Sequence, residues 1–137
     1  MIAAGIDLGG TKIEAQLFDA GWQRVTARRI ATPADYPTLV GAVADQIAWA
    51  EAQGGAGIAV GIAAAGLVNP ATGLALTANL PASGKPFPAD IAAAAGRPVT
   101  YVNDCRAQAL SEARFGAGRG FATVLGLNLG TGLAGGS

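Results

Sequence analysis

Two apolar runs, Ile2–Leu8 and Thr11–Phe18, are separated only by Gly9 and Gly10. So short a link leaves no length for a crossover, so the runs must be neighbouring antiparallel strands. Asp19-Ala20-Gly21 then signals a turn. Trp22–Ile30 alternates imperfectly, with Trp22, Arg24, Thr26 and Arg28 set against Gln23, Val25, Ala27 and Arg29, as on an edge strand. Thr32-Pro33 ends it.

From Tyr36 the period changes. Tyr36, Leu39, Val43, Ile47 and Ala50 share one face of a helix expected over Tyr36–Gln53 and closed by Gly54-Gly55. Trp49 lies off that face and reads first as a surface residue, with a cap on the core edge or a partner contact as the alternatives. Gly57–Ala63 has the length and apolarity of a buried parallel strand. A small hairpin is expected around Val68–Gly73, then a polar loop with three prolines over Asn79–Pro88. A short helix, Pro88–Ala95, has proline near its start and Gly96 after its end. Pro98–Val102 reads as another buried strand, Asp104–Phe115 as a helix with Ala109, Leu110 and Ala113 inward, and Phe121–Leu129 as a final strand. The order βββαβαβα predicts an α/β fold, a mixed sheet flanked by helices on both faces. It fits a ribonuclease H-like, actin-like ATPase half-domain over residues 1–118, with 119–137 opening a second lobe.

The 137 residues fit one domain, and 51% hydrophobic residues supply a core. Nine basic and nine acidic residues give no net charge, which argues against a nucleic-acid or anionic-membrane partner. There is no histidine, so no histidine base, histidine-ligated metal or Ser-His triad can form within the chain. One cysteine, Cys105, excludes an internal disulfide and a multi-cysteine zinc site. The longest apolar run, Ile58–Val68, is too short for a membrane span, and no basic leader precedes Asp7. The expectation is a cytoplasmic protein.

The chemistry concentrates at strand ends. Asp7 interrupts the first apolar run, and a carboxylate there calls for a partner such as a metal or a phosphate-bound cation. Gly9 and Gly10 let the backbone approach an anion, successive N–H groups of a turn form an anion nest, and Thr11 and Lys12 add a hydroxyl and a cation. A phosphate-and-Mg²⁺ cradle and an ordinary Gly-Gly hairpin are both open at this point. Gly126-Leu127-Asn128-Leu129-Gly130 echoes Gly5-Ile6-Asp7-Leu8-Gly9, either by chance or because a second copy of the same hairpin begins near Phe121. Gly130-Thr131-Gly132-Leu133-Ala134-Gly135 also fits a dinucleotide fingerprint. The first hairpin has β-β rather than β-α order, however, which ranks that reading low. No Walker A loop is present, since Gly84-Lys85 precedes Pro86.

Asn103-Asp104 stands where a buried strand passes into a helix, the edge at which open α/β sheets bind ligands. Asp104 could take the proton of a sugar hydroxyl as that oxygen attacks a γ-phosphate, with Asn103 fixing the pose. A plain helix cap accounts for the same pair.

Taken together, these residues resemble the ROK family of sugar kinases. Gly5–Lys12 is similar to its first phosphate loop, Asn103-Asp104 to its catalytic pair, and Leu129-Gly130-Thr131-Gly132 to its second phosphate loop. Asn79-Leu80-Pro81-Ala82-Ser83-Gly84-Lys85-Pro86 is similar to the N-acetylglucosamine kinase branch. The resemblance implies ATP-dependent phosphorylation of a hexose or N-acetylhexosamine, N-acetylglucosamine foremost, at the 6-hydroxyl. It implies Asp104 as base, with Gly66, Asn79 and Asn103 on the sugar. Gly9, Gly10, Thr11, Lys12, Gly130, Thr131 and Gly132 would hold phosphate, and Asp7 would place Mg²⁺ indirectly. Zinc is expected only in a C-terminal lobe, and the fragment alone is expected to be inactive. The chain departs from the family pattern at Cys105-Arg106, where Ala-Asn is usual, at Ala64-Ala65-Gly66, where Ile-Pro-Gly is frequent, and at Ala134, where Gly is usual. Alternatives are a glucokinase- or fructokinase-type member and a sugar-sensing transcriptional regulator of the same family. A homodimer through Phe121–Leu129 is expected, because that strand would otherwise lack a partner.

Overall fold

The computed structural model describes residues 1–129 and 133–136. Strands β1 (Ala3–Leu8), β2 (Lys12–Phe18) and β3 (Arg24–Ala31) are followed by helix α1 (Tyr36–Gly54) and strand β4 (Ala59–Ala64). A small hairpin, β5 (Leu67–Val68) and β6 (Ala75–Leu76), precedes α2 (Phe87–Ala95), β7 (Thr100–Asn103) and α3 (Asp104–Phe115). Strands β8 (Gly126–Leu129) and β9 (Leu133–Gly136) come last. The main sheet has the order β3-β2-β1-β4-β7; β1 runs antiparallel to β2 and parallel to β4, and β4 parallel to β7. The expected mixed sheet is therefore present, and the C-terminal ends of β1, β4 and β7 lie together.

Period-2 alternation buries one face of the sheet. Ala4, Ile6 and Leu8 of β1, Ile13, Ala15 and Leu17 of β2, and Val60, Ile62 and Ala64 of β4 form one core with Leu39, Val43, Ile47 and Ala50 of α1 and Phe87 and Ile91 of α2. Asp35 caps α1 by accepting the Thr38 N–H at 3.0 Å, so the helix starts where the sequence period does. Trp49 is not a surface residue: it packs against the core edge. Gln46 is buried on the same face, and its Nε2 donates to Ile13 O and Arg28 O at 3.1 and 3.0 Å, tying α1 to two strands.

The opposite face carries Gly5, Asp7 and Glu14. Phe18 covers Gly5 and continues through Trp22 to Phe115 at the end of α3, with ring centroids 6.5 and 5.9 Å apart. Helix α3 therefore lies on the side away from α1, and helices flank both faces.

Several boundaries shift. Trp22 belongs to a turn and not to β3: the Asp19 carboxylate accepts from Gly21 N and Gln23 N, and Trp22 takes a left-handed φ of 60°. Strand β7 begins at Thr100 and is a half-exposed sheet edge, not a strand buried on both sides. On α3 the buried residues are Cys105 and Ala109; Leu110 faces outward. The expected strand Phe121–Leu129 is regular only from Gly126, and β8 is not partnerless: it pairs antiparallel with β9. Like β1 and β2, β8 and β9 form an antiparallel pair.

Candidate functional site

The site gathers at the C-terminal ends of β1, β4 and β7. Asn103 ends β7 and caps α3: its Oδ1 accepts from Cys105 N and Arg106 N at 3.0 and 3.3 Å. Its Nδ2 donates to Gly66 O at 2.6 Å. The cap reading therefore holds, and the same residue braces the Gly66 turn while it starts the helix. Asp104 opens α3 and accepts the Cys105 N–H on Oδ1 at 2.8 Å. Cys105 is buried, and burial foremost, with the Asp104 charge behind it, pushes its thiol pKa up, so it is no nucleophile.

Asp7 ends β1 in register with Glu14, which is in register with Arg29. Glu14 is committed: Arg29 reaches its Oε2 at 2.7 and 2.6 Å, and Gln16 donates to its Oε1. These bonds, Gln16 first and then Arg29, hold the Glu14 pKa below its ordinary value. Asp7 has no such partner among the described residues. Partial desolvation first, then the Asp104 charge, raise its pKa, while Lys12 acts in the opposite sense. Two carboxylates that repel across a strand end fit a divalent cation, whose charge would relieve them.

The turn from β1 to β2 is held from outside. Gly9 N donates to Lys12 O at 3.0 Å, Thr32 Oγ1 donates to Gly9 O at 2.6 Å and Thr32 N to Thr11 O at 3.0 Å. The N–H groups of Gly10 and Thr11 are left without a protein acceptor among the described residues, as an anion nest requires.

Asn79 reaches the same place from the loop between β6 and α2. A Cβ on Gly10 would stand 2.7 Å from Asn79 Cβ and 2.9 Å from Asn79 O. Gly66 is equally confined: it has φ +88°, and a Cβ there would meet Leu76 O at 2.6 Å and Thr77 Cγ2 at 2.7 Å. A cleft of about 310 Å³ lies beside Asn103, lined in part by Gly66, Leu67, Val68, Tyr101 and Arg106.

Asp7, Gly9, Gly10, Thr11, Lys12, Gly66, Asn79, Asn103 and Asp104 are thus brought to one edge of the sheet. Gly130, Thr131 and Gly132 lie outside the described residues. Sequence reasoning missed the Glu14–Arg29 pair, whose signal was the period-2 match of Glu14 with Asp7, and the Thr32 clamp, which carries no local signal.

The ROK family profile matches residues 3–137. The chain belongs to the ROK family. An N-acetyl-D-glucosamine kinase of Yersinia pseudotuberculosis serotype O:3 (strain YPIII) is 44% identical over 134 residues, covering 96% of this chain and 44% of the relative. The N-acetylgalactosamine kinase AgaK of Shewanella sp. (strain ANA-3) is 43% identical, covering 96% of this chain and 43% of that protein. A ROK family glucokinase from Streptomyces griseus, solved in complex with glucose and AMPPNP, superposes with a TM-score of 0.83 at 35% identity, over 98% of this chain and 43% of that one. The chain spans less than half the length of these ROK relatives, and its mixed sheet corresponds to an N-terminal portion of their actin-like ATPase fold.

Proposed function

We propose that the chain supplies the N-terminal, phosphate- and sugar-binding lobe of a kinase that transfers the γ-phosphate of ATP to the 6-hydroxyl of an N-acetylhexosamine, N-acetylglucosamine first. The observation that carries the reading is the meeting of Asp104, Asn103 and Asp7 at the C-terminal strand edge with a clamped Gly9–Lys12 turn. The 44% and 43% identical relatives, both kinases of N-acetylated hexosamines, favour that substrate class.

In this reading the Asp104 carboxylate, oriented by the Cys105 N–H on its Oδ1, accepts the proton of the attacking hydroxyl. Asn103 has one amide hydrogen left for a sugar hydroxyl after bracing Gly66, and Asn79 approaches from the facing loop. Gly10 N, Thr11 N and Lys12 receive phosphate oxygens, joined by Gly130, Thr131 and Gly132. Asp7 holds Mg²⁺ through its water shell. ATP and Mg²⁺ supply the phosphoryl group and neutralise its charge. Residues 1–118 form the lobe and 119–137 open the next one, where a zinc site is expected.

ATP as donor implies a cytoplasmic protein; among the described residues no helix is long and apolar enough to cross a membrane. Self-association belongs to the same proposal, with exposed Phe121 and Leu125 at the contact. Sedimentation with Phe121 and Leu125 changed to serine checks it, and an unchanged oligomeric state would refute it. The full-length product carrying these residues should convert N-acetylglucosamine to its 6-phosphate with a higher kcat/KM than glucose. No ATP-dependent phosphorylation of N-acetylglucosamine, N-acetylgalactosamine or glucose would overturn the kinase reading.

A further inference from the structure

The loop that carries Asn79 is built as a closed ring. At its base Gly84 N donates to Ala75 O at 2.8 Å and Ala75 N to Lys85 O at 2.9 Å. Inside that base one side chain closes the loop a second time. Ser83 Oγ accepts the Thr77 N–H at 2.8 Å and donates to Thr77 O at 2.6 Å. Thr77 Oγ1 in turn donates to Leu80 O at 2.7 Å. Leu80 and Ala82 are buried plugs, whereas Asn79 between the two closures is exposed.

Thr77 is also fixed from the other side, because Gly66 lies against Leu76 O and Thr77 with no room for a Cβ. Gly66 is itself held by Asn103 Nδ2. Contacts therefore run from the Asn103–Asp104 pair through Gly66 to Thr77 and from Thr77 to Leu80, the chain neighbour of Asn79, which itself lies against Gly10. Ser83 is the one side chain whose hydroxyl bonds both backbone groups of Thr77. It touches neither the catalytic pair nor the phosphate turn in any hydrogen bond among the described residues.

We propose that Ser83 is a positioning residue: by clasping Thr77 it holds Asn79 at the sugar, and so sets affinity for the sugar rather than the rate of phosphoryl transfer. This rests on the sugar-kinase reading of the site. Removing the hydroxyl frees the Thr77 backbone groups to take water. Asn79 then samples positions away from the sugar, while Asp104, held by α3, does not move. Uniform binding is lost, which raises KM and spares kcat.

The experiment compares wild type, Ser83→Ala, Ser83→Thr, Asn79→Ala and the double variant Asn79→Ala/Ser83→Ala in the full-length product, with N-acetylglucosamine and ATP varied separately. Ser83→Ala is expected to raise the sugar KM about fivefold or more, the scale of losing one to two hydrogen bonds. Its kcat and ATP KM should stay within about twofold, and Ser83→Thr, which keeps the hydroxyl, should restore the sugar KM. In the double variant Ser83→Ala should add nothing to Asn79→Ala, because it acts through that residue. An unchanged sugar KM in Ser83→Ala, additive losses in the double variant, or a parallel fall in kcat would each overturn the role of Ser83 and leave the kinase reading standing. A wild type that phosphorylates none of the three sugars would overturn both.

Discussion

Gly10 offers the sharpest test of how the Gly9–Lys12 turn and the Asn79 loop are joined. Its φ is outside the left-handed region, so alanine is permitted by the backbone there. The obstacle is Asn79: the added methyl would sit 2.7 Å from Asn79 Cβ and 2.9 Å from its carbonyl oxygen, where ordinary contacts begin at 3.4 Å. Gly10→Ala must therefore drive the two segments apart by about 0.7 Å at Cβ. Neither side yields easily. Thr32 holds the turn by its side chain on Gly9 O and its N–H on Thr11 O. Ser83 and the buried Leu80 hold the loop. Over-packing of this kind costs about 1–3 kcal/mol of stability. Displacement of reacting groups by a large fraction of an ångström costs up to about a hundredfold in rate. Gly61→Ala is the control, since a Cβ there meets nothing within 4 Å. Urea denaturation and steady-state kinetics on both variants should show Gly61→Ala near wild type and Gly10→Ala lowered in stability and at least about tenfold in kcat/KM. If Gly10→Ala matches Gly61→Ala in both assays, the turn and the loop are not in contact as described.

Asp104→Asn should lower kcat by at least about a hundredfold, the low end for losing a general base, with the sugar KM nearly unchanged; activity within a few-fold of wild type would leave Asp104 as an acid of the first turn of α3 and nothing more. Asp7 has a raised folded-state pKa, so it opposes folding once ionised, and that opposition fades as pH falls through the folded value. Asp7→Asn should raise the melting temperature near pH 7 and lose that advantage below about pH 3.9, where Asp7 is protonated in both states. Glu14 is the reverse case: its depressed pKa contributes stability above the unfolded value of about 4.3 that is lost as pH falls through the folded one. Glu14→Gln should melt lower than wild type at pH 7, and the two curves should converge in acid. A pH-independent gap in either pair would refute the assignment.

The fold was legible where side-chain period and burial agree. The short Gly9–Thr11 link between β1 and β2 dictated their pairing, and the α1 face of Leu39, Val43, Ile47 and Ala50 is the buried face observed. Reading failed where neighbours decide. Trp22 continues an alternating pattern, but Asp19 competes for the backbone of Gly21 and Gln23 and ends the alternation in a turn. Leu110 has the composition of a core residue, yet on α3 only the small Cys105 and Ala109 are buried. Leu110 turns instead to a cleft shared with Phe121 and Val124. The isolated-strand reading of Phe121–Leu129 left out β9, whose Leu133-Ala134-Gly135-Gly136 carries little strand signal of its own.

At the site the sequence carried the chemical groups but not their couplings. Gly10 read as a glycine chosen for an anion, and the structure adds a constraint from within the protein, the Asn79 backbone 69 positions away. Asn103 read as either a cap or a ligand-binding group, and its two ends do different work: the oxygen starts α3 and the nitrogen holds the Gly66 turn. The carboxylates follow the same logic. Glu14 and Asp7 are cross-strand neighbours of like charge, an arrangement that destabilises a sheet unless one is neutralised. Arg29 and Gln16 take Glu14 and leave Asp7 facing Asp104. Asp7 is exposed, so water solvates the charge that no side chain among the described residues pairs. An acid left unpaired beside a second acid is the kind of exception expected where a cation-bearing ligand completes the structure.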